Sequence, residues 1–254
     1  MKIASDVVVL GANGLIGGNL AIALIGLGVV PICVDIAAAP KPEIARAAGE
    51  ANREIAYIQA NVCVEAEVLT LAATFKSERP NALAVVNAAY PRLPGFGRSP
   101  LTQDCETFSA NLALHVSAYF NVFKIFGNYF SERQGGRVIS FSSIYGFFLA
   151  RPELYEGTEM GISAEYVACK AAILQLNAYY AKLHRAKGVL FNCISPGGLA
   201  DKQPPIFVER YGRHTTSTGL LDAGEVVNSI LFLLSDMSTS ITGQNLVVDG
   251  GFTL

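Results

Sequence analysis

Tyr166 and Lys170 stand four residues apart in a segment of helical period, so their side chains share one face about one turn apart. A lysine cation beside a phenol lowers its pKa from the ordinary value of about 10 toward neutrality, which makes Tyr166 a usable general acid or base. Upstream, Ser142-Ser143-Ile144-Tyr145-Gly146 closes an apolar run, where a hydroxyl can bind a carbonyl oxygen. Tyrosine and lysine are also common on solvated helix faces, so the pair gains meaning only from the rest of the chain.

That support begins near the N-terminus. Val7-Val8-Val9-Leu10 runs directly into Gly11-Ala12-Asn13-Gly14-Leu15-Ile16-Gly17 and then a helical segment, the strand, tight turn and helix of a dinucleotide fingerprint. Positions without side chains let the backbone approach a pyrophosphate, and the helix N-terminus presents unpaired N–H groups and partial positive charge to it. Asp35 ends the second apolar run, 18 residues beyond Gly17, where a carboxylate accepts hydrogen bonds from both ribose hydroxyls and repels a 2′-phosphate. With Ile36 and Ala37 next and no Arg or Lys before Lys41, the pattern predicts NAD(H) in preference to NADP(H).

The elements that must carry these residues follow from hydrophobic period. Seven runs of strand length, at 7–10, 29–34, 55–58, 83–86, 137–141, 189–194 and 246–248, alternate with helical segments at 15–27, 42–49, 65–78, 104–130, 163–187 and 222–235. Most runs are continuously apolar, as strands covered by helices on both faces must be. The expected fold is α/β, a single-domain doubly wound Rossmann sheet of seven parallel strands over residues 1–254. Ligands of such sheets sit beyond the carboxyl ends of the strands. Three irregular stretches leave from those ends: 91–100 and 147–161, expected as surface loops, and 197–219, expected as a lid.

Composition narrows the function classes. Nineteen Lys and Arg against 21 Asp and Glu, with no long run of like charge, leave no electrostatic footprint for nucleic acid. A hydrophobic fraction of 51% with 16% charged residues describes a packed globule. The five cysteines (Cys33, Cys63, Cys105, Cys169, Cys193) are scattered, without a CxxC pair or a metal-ligand cluster, which suits a reducing compartment and small buried side chains. Residues 15–34 are long enough to span a bilayer, but Gly17, Gly18, Gly26, Gly28 and Pro31 punctuate them as a buried helix followed by a buried strand. The expectation is a cytoplasmic protein with a small-molecule substrate, no metal, no nucleic acid and no membrane.

Several motifs then agree in order: the glycine turn, Asn87-Ala88-Ala89, Asn111, Ser142-Ser143, Tyr166 with Lys170, Ser195-Pro196-Gly197-Gly198, and Gly243-Gln244-Asn245-Leu246-Val247-Val248-Asp249-Gly250-Gly251. From Asp6 to Leu254 the chain resembles the short-chain dehydrogenase/reductase family. The resemblance implies that Tyr166 exchanges the proton with the substrate oxygen while Ser143, three residues before Gly146, orients that oxygen. It implies that Lys170 holds the nicotinamide ribose and lowers the Tyr166 pKa, and that Asn111 holds a water linking Lys170 to solvent. Asn61 and Val62 look like the pair at the adenine ring, and Pro196 to Gly198 like the loop over the nicotinamide. Four-helix interfaces on the 104–130 and 163–187 helices, as in the family, imply a homodimer or homotetramer.

Three features depart from the family pattern. The glycines fall at 11, 14 and 17, a spacing more usual in the nucleotide-sugar-modifying branch, with Leu15 at the usual middle position; Asn61 replaces the more usual Asp; and Ser143 and Tyr166 are 23 apart, so residues 147–161 form an insertion at the mouth of the site. Tyr90-Pro91-Arg92, Ser143 to Gly146, Tyr155-Glu156-Gly157-Thr158, Ser195 to Gly198 and Gln203-Pro204 together resemble the oxidoreductases of bacterial flagellin modification and legionaminic-type nonulosonic acid pathways. That resemblance implies a sugar-derived substrate met by Arg92, Tyr145, Tyr155 and Glu156. Arg92 reads either as a solvated loop charge or as a carboxylate or phosphate clamp. His115, four after Asn111, reads as a packed or interface residue. The leading expectation is a secondary alcohol–ketone oxidoreductase. A nucleotide-sugar epimerase or dehydratase competes with it, although only 84 residues follow Lys170. A dinucleotide-binding sensor without chemistry is the third reading.

Overall fold

The computed structural model describes residues 2–3, 6–53, 55–216 and 219–254. Strand β1 (Asp6–Leu10) leads through α1 (Leu15–Gly26) to β2 (Pro31–Asp35), α2 (Pro42–Glu50), β3 (Ala56–Gln59), α3 (Glu65–Glu78) and β4 (Ala82–Asn87). The second half adds α4 (Cys105–Glu132), β5 (Gly136–Phe141), α5 (Ala164–His184), β6 (Val189–Pro196), α6 (Pro205–Gly212), α7 (Ala223–Leu234) and β7 (Asn245–Val248). The strands form one sheet in the order β3-β2-β1-β4-β5-β6-β7, each neighbouring pair parallel. This is the doubly wound architecture expected from the alternation of apolar runs.

The continuous apolar strands are explained by the two faces they serve. In β1, Val8 and Leu10 pack with Phe75, Phe123 and Phe126 on the side of α3 and α4, whereas Val7 and Val9 pack with Leu20, Leu24 and Ile230 on the side of α1 and α7. Side chains alternate across a strand, so a sheet covered on both faces needs apolar residues at every position. The strand order reverses between β1 and β4, which opens a crevice at their carboxyl ends. No helix among the described residues is long and apolar enough to cross a membrane; the 15–34 stretch is α1 followed by β2.

Two of the irregular stretches are more structured than their sequences suggest. Residues 197–219, expected as an irregular lid, contain the eight-residue α6, and Ser217 and Thr218 lie outside the described residues. Pro204 and Pro205 start that helix, and Phe207 and Tyr211 place its buried face inward. Residues 147–161, expected as a surface loop, hold a 3₁₀ turn at Pro152–Leu154 and contribute to a third apolar cluster of Ile144, Tyr145, Leu154, Phe207, Tyr211 and Phe252. Arg210 ties the two stretches together by donating to the carbonyls of Glu153 and Glu156.

A buried leucine inside this cluster tests whether the insertion is part of the core. Leu154→Ala is expected to destabilise by about 2 kcal/mol or more, read as a Tm lowered by at least about 4 °C; a change too small to measure would return 147–161 to the status of a surface loop.

Candidate active site

A cavity of about 1190 Å³ follows the carboxyl ends of the strands. At one end, the chain leaves β1 through Gly11, whose φ of +75° and contact with Ala89 both exclude a side chain: a Cβ there would stand 2.8 Å from the Ala89 backbone. Gly17 packs against the Gly11 carbonyl, leaving no room for a methyl group. The N-terminus of α1 has no side-chain cap and no acid in its first turn, so its N–H groups are free to meet an anion at the cavity wall formed by Gly14, Leu15 and Ile16.

Asp35 ends β2 in the same cavity, and its carboxylate accepts from the Asn13 N–H at 2.9 Å and the Ala37 N–H at 3.1 Å. These bonds fix the carboxylate while leaving lone pairs for further donors. Ile36 lines the wall with 68% of its surface exposed, and Asn61 and Val62 continue it. An uncapped helix N-terminus over a side-chain-free cradle fits a pyrophosphate, a fixed carboxylate fits a ribose diol, and an exposed apolar wall fits an adenine ring.

The other end is built by β5 and α5. The Ser142 hydroxyl donates to the Lys170 carbonyl at 2.7 Å in the interior and fastens α5 to the end of β5. Ser143, the next residue, turns to other partners: its Oγ accepts from the Tyr145 N–H at 3.2 Å and lies against the Tyr166 phenol. Lys170 is buried, donates from Nζ to the Phe141 carbonyl at 3.2 Å, and stands 5.3, 5.6 and 5.7 Å from the ring centres of Tyr90, Tyr119 and Tyr166. Burial pushes the Tyr166 phenol up, against the opposing pull of the Ser143 hydroxyl. The expected lowering by Lys170 does not appear: burial is the largest influence on the phenol, and the group that opposes it is the Ser143 hydroxyl rather than the lysine.

Most residues singled out from sequence line this one cavity, including Ala88, Ala89, Pro196, Gly197, Gly198, Arg92, Tyr145 and Tyr155. Five do not, and each has another task. Asn13 braces the segment after β2, donating to the Ala39 carbonyl and accepting from the Lys41 N–H. Gly17 lies beneath the turn. Asn87 is fully buried, with Oδ1 accepting from the Ala89 N–H. Asn111 accepts from the Leu93 N–H at 2.7 Å and donates to the Thr107 carbonyl, joining the 91–100 loop to α4. Glu156 is exposed and contributes its backbone carbonyl to Arg210. His115 is wholly buried between aromatic rings, which decides for packing over an interface.

Sequence reasoning missed Tyr211. Its hydroxyl accepts from the Gly198 N–H at 2.6 Å and its ring stacks on Phe252 at 4.4 Å, so it holds the Pro196 to Gly198 loop in place. The signal was its spacing four residues beyond Phe207, visible once the segment is taken as a helix. Tyr145 and Tyr155 bring their hydroxyls within 3.2 Å of each other on the cavity wall, beside Phe207 and Gln203.

Burial lowers the Lys170 pKa from 10.5 to about 8. Because the folded value lies below the unfolded one, the desolvation cost is fully present below about pH 8 and is relieved as pH rises through that value toward 10.5. Lys170→Met is expected to raise Tm at neutral pH, by roughly 2–4 °C per kcal/mol of relieved cost, with the difference shrinking above about pH 8. A lower Tm at neutral pH would contradict the assignment of a costly buried charge.

The family model described as enoyl-(acyl carrier protein) reductase matches residues 11–253. Post-translational flagellin modification protein A of Campylobacter coli is 36% identical over 170 residues, a stretch covering 66% of this chain and 66%, just under two thirds, of that protein. Galactitol 2-dehydrogenase (L-tagatose-forming) of Cereibacter sphaeroides is 28% identical over 253 residues, covering 97% of this chain and 94% of that one. Among solved structures, a short chain dehydrogenase from Leptospira borgpetersenii with bound NAD+ superposes with a TM-score of 0.85 at 23% identity, covering 100% of this chain and 94% of the other, a likeness of fold. The match along almost the whole chain, on a sheet and cavity of this design, makes the protein a member of the short-chain dehydrogenase/reductase family of oxidoreductases.

Proposed function

We propose that the protein is an NAD-dependent oxidoreductase that interconverts a secondary alcohol and a ketone on a polar, sugar-derived substrate of the kind handled in nonulosonic acid pathways. The observation that carries this reading is the single cavity shared by the glycine turn, Asp35, Ser143, Tyr166 and Lys170. A bound nicotinamide dinucleotide supplies or accepts the hydride. Gly11 to Gly17 and the α1 N-terminus would hold its pyrophosphate, Asp35 its adenosine ribose, and Ile36, Asn61 and Val62 its adenine, with Pro196 to Gly198 beside the nicotinamide. A fixed carboxylate at Asp35 favours NAD(H) over NADP(H), because a 2′-phosphate would meet like charge.

Ser143 is the hydrogen-bond donor for the substrate oxygen and Tyr166 exchanges its proton. A phenol held protonated by burial is a proton donor at neutral pH, which suits it to ketone reduction. Lys170 supplies a positive charge behind the phenol, and Asn111 fixes the loop that closes the site. The galactitol dehydrogenase supports a sugar-derived substrate, and the flagellin modification relative agrees with the narrower resemblance carried by the sequence motifs. Within one domain over residues 1–254, the 147–161 insertion and the 197–219 segment form its recognition end, where Tyr145 and Tyr155 present hydroxyls to a polyol and Arg92 meets an anionic group. Assembly as a homodimer or homotetramer through α4 and α5 agrees with the exposed Phe120, Val167, Tyr179 and Leu183 on those helices.

Two measurements test this reading. Tyr166→Phe is expected to lower kcat by about 10²–10⁴-fold while NADH still binds in a fluorescence titration; retained turnover would remove Tyr166 from its role. Asp35→Ser is expected to move the NAD/NADP preference toward NADP by about tenfold, which corresponds to about 1.4 kcal/mol of relieved repulsion. A clear NADPH preference in the unaltered protein would overturn the cofactor assignment.

A further inference from the structure

His115 lies on α4 between Asn111 and Tyr119, at four-residue spacing on one helix face, and its ring is fully buried. Its Nδ1 stands 3.0 Å from the Pro91 carbonyl oxygen. A carbonyl only accepts, so Nδ1 carries the proton and Nε2 of the neutral ring is a lone-pair acceptor. That Nε2 is buried and has no hydrogen-bond partner among the described residues. A buried acceptor without a partner is costly and calls for a function or a water molecule.

His115 and Lys170 have two ring neighbours in common. Tyr90 is 5.3 Å from the imidazole and 5.3 Å from Nζ; Tyr119 is 5.5 Å from the imidazole and 5.6 Å from Nζ. Burial, with the Lys170 charge second, pushes the His115 pKa down to about 3, so the ring stays neutral. The titratable groups around Nζ are Tyr90 from the loop after β4, His115 and Tyr119 from α4, Tyr166 and Cys169 from α5, and Cys193 from β6. Burial pushes each of these phenols and thiols up, so all are uncharged at neutral pH. Among the described residues, no carboxylate forms an ion pair with Lys170. Its ammonium has three N–H donors and, among the described residues, one protein acceptor, the Phe141 carbonyl.

We propose that His115 is a positioning residue for Lys170: its Nδ1–H, fixed on Pro91, locks the tautomer, and its Nε2 holds one bridging water that stabilises and orients the Lys170 ammonium. The inference rests on the reading of Lys170 as part of the catalytic set. It also makes one imidazole the link between the Tyr90-Pro91-Arg92 loop and the lysine, because the ring bonded to the Pro91 carbonyl shares the neighbours Tyr90 and Tyr119 with Nζ.

The test uses isotope-labelled full-length protein and needs no substrate. Only three histidines are present, so the His115 ring signals are identified by their loss in His115→Asn. Two-bond ¹H–¹⁵N spectra are expected to show a protonated Nδ1 and an unprotonated Nε2 wherever the protein is folded; the opposite tautomer overturns the proposal. The Lys170 Nζ resonance is then titrated in the unaltered protein and in His115→Asn, whose amide can keep the Pro91 bond but offers no acceptor at the Nε2 position. The Lys170 midpoint is expected to fall by about half a unit to one unit, and His115→Gln, which restores an acceptor there, to recover it. An unchanged midpoint in a His115→Asn protein with native circular dichroism overturns the proposal. The outcome is separable from the function itself: active Tyr166→Phe would remove the oxidoreductase mechanism without touching the Lys170 shift, whereas an unchanged midpoint beside an inactive Tyr166→Phe removes only the role of His115.

Discussion

One buried hydrogen bond, from the Ser142 hydroxyl to the Lys170 carbonyl, fixes the relation between the end of β5 and the first turns of α5 on which the site depends. A strand end and a helix can slide past each other by an ångström with little loss of apolar contact, but a hydrogen bond in a dry interior does not stretch cheaply. The neighbouring Gly146 shows how close the approach is: a Cβ there would stand 2.5 Å from the Ser142 hydroxyl and 2.9 Å from the Lys170 backbone. Ser142, Gly146 and Lys170 therefore act as one joint. The joint sets Ser143 against Tyr166 and lodges the lysine between three tyrosine rings.

The electrostatics of the cavity divide along its length. The end under α1 offers uncapped N–H groups and a carboxylate braced by two backbone donors, features suited to the phosphates and the ribose of a dinucleotide. The Tyr166 end holds a buried cation whose surroundings are aromatic faces, thiols and a carbonyl. Ring faces and carbonyl dipoles stabilise an ammonium without neutralising it, so the charge stays available to a neighbouring phenol. The cost is a weakened ammonium in the folded protein, the kind of local instability that active sites carry. Beyond it, the insertion and α6 close the cavity with aromatic side chains that share a small core of their own.

The fold was legible because parallel strands buried on both faces must be apolar at every position, and seven strand-length runs, most of them continuously apolar, with helical segments between them leave little choice of architecture. Boundaries moved where side chains cap helices: Asp104 and Asp222, expected inside helices, precede α4 and α7 and accept from backbone N–H groups of their first turns, and Asp222 forms a capping box with Glu225. The α6 helix was not legible, because eight residues that open on the second of two prolines give too short a period to separate from a loop. The insertion misled because its exposed and buried residues alternate without regular period, and its core partners lie in α6 and near the C-terminus. At the site, the residue types and their cavity were legible. The division of labour between Ser142 and Ser143, the bracing by Asn13 and Asn111, and the rise rather than fall of the Tyr166 pKa were not, since each depends on burial and on partners distant in sequence.

The most direct test of the account is the loss of NADH absorbance when the protein meets a panel of sugar-derived and nonulosonate ketones, run after a fluorescence titration has shown that NADH binds. The account predicts binding and consumption of NADH with at least one of these ketones. Tight binding of NADH with no consumption across the panel, in protein whose Ser143, Tyr166 and Lys170 are intact, would contradict it and leave a dinucleotide-binding protein without the chemistry its cavity was argued to perform.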